Sequence, residues 1–142
     1  MPKFWILHTK LFKTYHTSFD ISLMNAETPV YLEFLRKTLM SLPGYNEKPC
    51  YGTPGFYAGK KLFALMKEDG ETLVVQSFDR DTWMEKDAET FFITDHYLNY
   101  DYMLINLKRV NPEDLVSLLF TAWQNRATDK LIKEFQANLK II

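Results

Sequence analysis

One cysteine, Cys50, stands in 142 residues, so no internal disulfide can form. A lone thiol fits a reducing cytoplasm, where disulfides are rare, and a cytoplasmic location is the expectation. No apolar run approaches the roughly 20 residues that cross a bilayer as a helix, so no membrane association is expected. The cluster Phe4-Trp5-Ile6-Leu7 also falls short of the roughly 7–15 apolar residues of a secretory signal. An excess of positive charge is missing too: 17 Lys and Arg stand against 18 Asp and Glu, a formal net charge of −1. A nucleic-acid-binding domain is ordinarily basic as a whole, so phosphate contact here requires a local patch. Glycine is scarce, and three of the five glycines crowd into Pro49–Gly59 with two of the six prolines.

What the chain has is a core. Hydrophobic residues make up 46% and charged residues 25%, the balance of a soluble globular domain. Its length fits one domain with a sizeable interior. Aromatics reach 15%, and Phe, with 11, leads them, which assigns most of the surplus to core filling.

Residues 1–26 differ from the rest of the chain. Up to Met24 they carry Lys3, Lys10 and Lys13 against Asp20, or 3 − 1 = +2, which leaves −1 − 2 = −3 for the remainder. They show no clean hydrophobic period. They read as an N-terminal extension outside the core, either an extra strand or a flexible arm, or as residues upstream of a true start at Met24. A single domain is expected over 27–142.

From Thr28 the local signals sharpen. Thr28 can cap a helix, and Pro29 suits a first helical position, where a missing N–H costs nothing. Tyr31, Phe34, Leu35, Thr38, Leu39 and Leu42 keep the helical period, and Pro43-Gly44 ends it, predicting a helix over about 29–41. Residues 54–57, 60–67 and 72–77 read as three strands of an antiparallel meander, with Gly59 at one corner. Asp69-Gly70 forms the other corner, as a tight primed turn. Asp79 can cap a short helix over about 80–87 that turns Trp83 and Met84 inward. Residues 91–93 and 100–108 read as two more strands, the second with Met103, Ile105 and Leu107 on one face. Asn111-Pro112-Glu113-Asp114 is a helix start, and Leu115, Leu118, Leu119, Ala122 and Trp123 form its buried stripe. A last helix carries Leu131, Phe135 and Leu139. The fold class is α+β, an antiparallel sheet backed by helices.

Candidate chemistry is thin. The glycine-rich stretch has no phosphate-loop spacing and leads into a strand rather than a helix N-terminus, so its glycines read as turns. Lys60-Lys61, beside Tyr51, Phe56 and Tyr57, can pair phosphate contacts with ring stacking on bases; as a solvated strand end it needs no ligand. Asp95, His96, Tyr97, Tyr100 and Asp101 gather in one polar loop, too few ligands for a metal site. His96 has the chemistry of a general base, but no nucleophile accompanies it by motif. Asp79, Asp81, Glu85 and Asp87 read as a solvated helix face. Cys50 has only Lys48 nearby to activate it. Arg126, three residues beyond Trp123, either complements a helix C-terminus or projects toward a ligand. No enzyme activity, cofactor or metal is expected.

Four short motifs in order, "LPGYNEKPCYGTPGF", "GKKLFALMKEDGETLVV", "DAETFFITDHYLNYDYMLINL" and "NPEDLVSLLFTAWQNRATDKL", resemble the MmcQ/YjbR family of small bacterial proteins. The resemblance runs from about Glu33 to Leu131. It implies the element order helix, three strands, helix, two strands, helix, in a "double-wing" arrangement like that of CyaY-type proteins. It also implies DNA as a partner, and as candidate contacts Tyr51, Thr53, Lys60, Lys61, His96, Tyr97, Arg126 and Lys130. The acidic balance of the matched region departs from that expectation. The alternative is a protein- or small-ligand-binding module with no nucleic-acid role.

Overall fold

The structure, a computed structural model, describes residues 30–140. Helix α1 spans Val30–Leu39, followed by strands β1 (Tyr45–Cys50), β2 (Thr53–Ala58), β3 (Lys61–Met66) and β4 (Thr72–Gln76). Helix α2 (Arg80–Lys86), strand β5 (Phe91–Phe92), a 3-10 turn (Asp95–Tyr97) and strand β6 (Tyr102–Asn106) come next, then α3 (Pro112–Arg126) and α4 (Asp129–Leu139). The strands form one six-stranded sheet in the order β1-β2-β3-β4-β6-β5, antiparallel throughout. The class is therefore α+β, as the sequence predicts. The Thr28 cap, Pro29, the extension over 1–26 and the domain start at 27 lie outside the described residues.

Four strands stand between α1 and α2 where the sequence predicts three. The added strand, β1, reads YNEKPC and has no apolar alternation, because it is an edge strand with little to bury. Its Pro49 lies opposite Pro54 of β2. Neither can donate, so the two share a rung that needs no hydrogen bond, and at an edge the lost N–H of Pro49 faces away from the sheet.

The stretch Pro49–Gly59 is two tight turns and the strand between them. Cys50 pairs with Thr53 across Tyr51 and Gly52, which both hold positive φ, +51° and +83°. That is the signature of a type I′ hairpin turn. Ala58 pairs with Lys61 across Gly59, at φ +62°, and Lys60, the pattern of a type II′ turn. The Asp69-Gly70 corner differs from the expected primed turn. Asp69 lacks positive φ; its carboxylate accepts from the amides of Glu71 and Thr72 and from the Thr72 hydroxyl, closing a wider loop.

Phe63 is an extra residue in β3, since Phe56 pairs with Ala64 while Tyr57 pairs with Leu62. The bulge breaks the alternation, and Phe63 and Ala64 both enter the core. That core joins α1 (Leu35, Leu39), α3 (Leu115, Leu119, Trp123) and Phe135 of α4 to Phe56, Phe63, Leu73, Met103 and Ile105 on one sheet face. Val74 and Leu104 are equally buried but face the other way, in a row with Leu65 and Phe92. Trp123 stacks its ring among Phe120 and Phe135 and donates Nε1–H to the Pro43 carbonyl at 3.1 Å. Gly44, at φ +71°, lets the chain pass α4: a Cβ there would stand 2.6 Å from Leu131 Cδ1.

Asn111 caps α3 as expected, accepting from the Glu113 amide, with Pro112 in the first turn. Asp79 precedes α2 but makes no side-chain cap; its carboxylate accepts from the Ser77 hydroxyl instead. Trp83 and Met84 are only half-buried, Trp83 packing edge-on against Phe91 at 5.1 Å.

Candidate functional site

Strand directions sort the candidate residues into two groups. β2 runs from the Tyr51-Gly52 tip to the Gly59-Lys60 turn, a span of roughly 17 Å at strand rise. Tyr51 and Thr53 therefore sit at one end of the sheet. The Thr53 hydroxyl is spent inside its own hairpin, donating to the Cys50 carbonyl at 3.0 Å. Lys60 and Lys61 sit at the other end. Phe56 takes no part in either group: it is fully buried, so it offers no face to a base. Tyr57 is half-buried on the second sheet face, with Lys48 Nζ 4.3 Å from its ring centre.

At the lysine end the chain folds back on itself. The Gly59 amide donates to the Gly44 carbonyl, and both glycines lie against Leu131. This contact sets the β2–β3 turn beside the start of α4, so Lys60, Lys61 and Lys130 share a corner. All three are exposed, and none forms an ion pair among the described residues. Arg126 closes the corner from behind. Its Nε donates to the Leu62 carbonyl at 3.2 Å, and the Tyr102 hydroxyl donates to the same oxygen at 3.3 Å. That carbonyl is free for side chains because β3 and β4 pair only as far as Ala64 and Val75. Nearby, Asn125 donates to the buried Gln76 side chain at 2.8 Å.

From Tyr102 the rings continue. Tyr97 lies 6.3 Å from Tyr102, His96 stands edge-on to Tyr97 at 4.7 Å, and Tyr100 follows His96 at 6.2 Å. His96 and Tyr100 are exposed; Tyr97 is half-buried. Burial raises the Tyr97 phenol above its ordinary pKa, with the neighbouring Cys50 and Tyr102 adding to the rise. Burial likewise raises Tyr102, and the Arg126 charge pulls it back in part. Tyr57 is raised by burial and by its hydrogen bond with the Cys50 thiol. These phenols stay protonated at neutral pH, so they carry hydroxyl donors.

One residue that sequence reasoning missed organises this loop. Arg80, at the start of α2, donates to the carbonyls of Tyr97, Leu98, Tyr100 and Tyr102 at once. Its guanidinium meets four backbone dipoles and, among the described residues, no carboxylate. In sequence it is one Arg between two aspartates, and no local pattern announces a partner 17 to 22 residues away.

The structure thus brings together Lys60, Lys61, Arg126 and Lys130, and links them through Tyr102 to Tyr97 and His96. It leaves Tyr51 and Thr53 out of the lysine corner, at the far end of β2, although Cys50 beside them reaches Tyr57, Tyr97 and Tyr102. Among the described residues no group of three or more His, Cys, Asp or Glu side chains is placed to hold a metal ion, and no helix is long and apolar enough to cross a membrane. A comparison with family models, curated proteins and solved structures finds no match for this chain.

Proposed function

We propose that the chain is a non-enzymatic cytoplasmic binding protein of the MmcQ/YjbR type that holds DNA by its phosphate backbone. The contact surface is the corner formed by the β2–β3 turn and the start of α4. Lys60, Lys61 and Lys130 supply point charges to phosphates, and Arg126 adds a cation behind them. The exposed ring of His96 is linked to this corner through Tyr97 and Tyr102. One observation carries the proposal: in a chain of net charge −1, three exposed lysines with no ion pair among the described residues converge on one place. Contacts of this kind fix position without reading bases, so sequence preference is weak and salt dependence is strong.

Titration of a labelled duplex at low and moderate salt, with wild type and Lys60→Ala/Lys61→Ala, tests this. Wild type binds at low salt and weakens at least tenfold at the higher salt; the double variant binds at least tenfold more weakly at low salt. Absence of binding at low salt, or binding indifferent to both changes, rejects it.

A protein- or small-ligand-binding module is the second reading, and Tyr51 favours it. Its ring is 94% exposed at the hairpin tip, on a backbone that a bulky residue rarely adopts. A partner that engages the tip loses affinity for Tyr51→Asn and keeps it for the lysine variant.

A further inference from the structure

Beyond the lysine corner, the same end of the sheet carries a second surface of opposite character. The β4–β6 ladder pairs Gln76 with Tyr102, and the Ser77 amide continues it by donating to the Asp101 carbonyl at 2.9 Å. Phe78 follows Ser77 and Tyr100 precedes Asp101, so both lie just beyond the last paired residues of the two strands. Phe78 is 69% exposed, Tyr100 59% and Leu98 59%, a high exposure for three large apolar side chains on adjoining segments. Arg80 holds the loop that carries two of them, since its guanidinium binds the Leu98 and Tyr100 carbonyls, and Phe78 precedes it by two residues. The patch is therefore pre-organised by the fold.

Its rim is acidic. Asp79 and Asp81 flank Arg80, Asp101 adjoins Tyr100, and Asp95 opens the 3-10 turn. All four carboxylates are exposed, and none forms an ion pair among the described residues. Against the single charge of Arg80, already enclosed by carbonyls, the local balance is 1 − 4 = −3.

We propose that this acid-rimmed patch of Phe78, Leu98 and Tyr100 is a docking surface for a basic, apolar segment of another protein. Exposed rings and a leucine supply the anchors that dominate interface energetics. The aspartates select a cationic partner, because complementary charge sets specificity and association rate. They also argue against the two other occupants. Phosphate is repelled here, so nucleic acid stays at the lysine corner. A second copy meeting the patch about a two-fold axis would set aspartates against aspartates.

The probe is a labelled amphipathic peptide of about 15 residues built from Lys and Leu at helical spacing, with a Glu/Leu peptide as its counterpart. Anisotropy is read on the full chain, on Phe78→Ser/Leu98→Ser and on Asp95→Asn/Asp101→Asn, with circular dichroism confirming that each variant folds. The basic peptide binds wild type and the acidic one does not. Each double variant weakens binding at least tenfold, while Lys60→Ala/Lys61→Ala does not weaken it. The proposal fails if the two peptides bind alike, if the patch variants bind as wild type does, or if no binding appears up to about 1 mM, the weak end of specific recognition. Sedimentation over a range of protein concentrations supplies the last check. A dimer abolished by the patch variants assigns the surface to a second copy and overturns the proposal.

Discussion

Tyr51 occupies a backbone conformation, φ +51°, that Asn or Gly takes with less strain, since an L side chain with a Cβ is crowded in the left-handed region. Its ring is exposed and gains little from burial, so nothing in the fold offsets that strain. Tyr51→Asn, which makes the preferred Asn-Gly turn, raises stability by about 0.5–1 kcal/mol. Urea unfolding reads this as a higher midpoint at unchanged slope. Tyr45 is the opposite case. Its ring stacks on Phe56 at 6.4 Å, but its hydroxyl is buried with no hydrogen-bond partner among the described residues. Burial, aided by the charge of Glu47, pushes its pKa up to about 12. Between pH 10 and that value the unfolded phenol releases its proton while the folded one keeps it, so stability falls as pH rises. Tyr45→Phe keeps the stack and removes the orphaned hydroxyl. It gains about 1 kcal/mol at neutral pH and gives a shallower alkaline limb in denaturation followed against pH. The limb does not vanish, because Tyr57, Tyr97 and Tyr102 are raised as well.

Elements with a strong apolar period are legible in the sequence. The stripe of α3 enters the core as the pattern requires, and so do Met103 and Ile105 of β6, although Leu104 on its other face is buried too. The features that escape it are set by partners distant in sequence. The edge strand β1 has no core face to pattern it, and the bulge at Phe63 breaks the alternation that would have assigned Ala64 to the outer face. Asp79 has the sequence context of a cap, but the Ser77 hydroxyl claims its carboxylate. The loop after β5 takes four carbonyl contacts from one side chain, Arg80. Arg80→Met retains the apolar stem and removes the donors. It costs about 2 kcal/mol, the scale of losing charge-assisted hydrogen bonds. Hydrogen exchange locates the loss: amides of Tyr97, Leu98 and Tyr100 exchange at least tenfold faster, while those of β3 and β4 change little by comparison. Uniform acceleration across the sheet would instead mean that Arg80 supports the whole fold.

At the scale of the molecule, one end of the sheet is polarised. Lysines stand at the β2–β3 turn, and aspartates stand where β4 ends and β6 begins. Composition could not show this, because the two groups nearly cancel in a net charge of −1. The sequence singles out Lys60, Lys61 and the 95–101 loop, but the corner itself needs Leu131 packed against Gly44 and Gly59, and the patch needs Phe78 and Tyr100 brought to the same end of the β4–β6 pair. The arrangement makes a quantitative demand on the DNA proposal. With Lys60, Lys61 and Lys130 as the corner's phosphate contacts, log K against log salt has a slope of about −3, and removing Lys60 and Lys61 brings it to about −1. The nearby aspartates forbid a wider footprint, so a slope as steep as about −6 would require cations outside this corner. Asp95→Asn/Asp101→Asn separates the two fields: relieving their repulsion strengthens duplex binding two- to threefold at low salt without changing the slope, because no phosphate contact is added. A steeper slope in that variant would mean that DNA reaches the aspartate side, and the division of this end into two surfaces would be wrong.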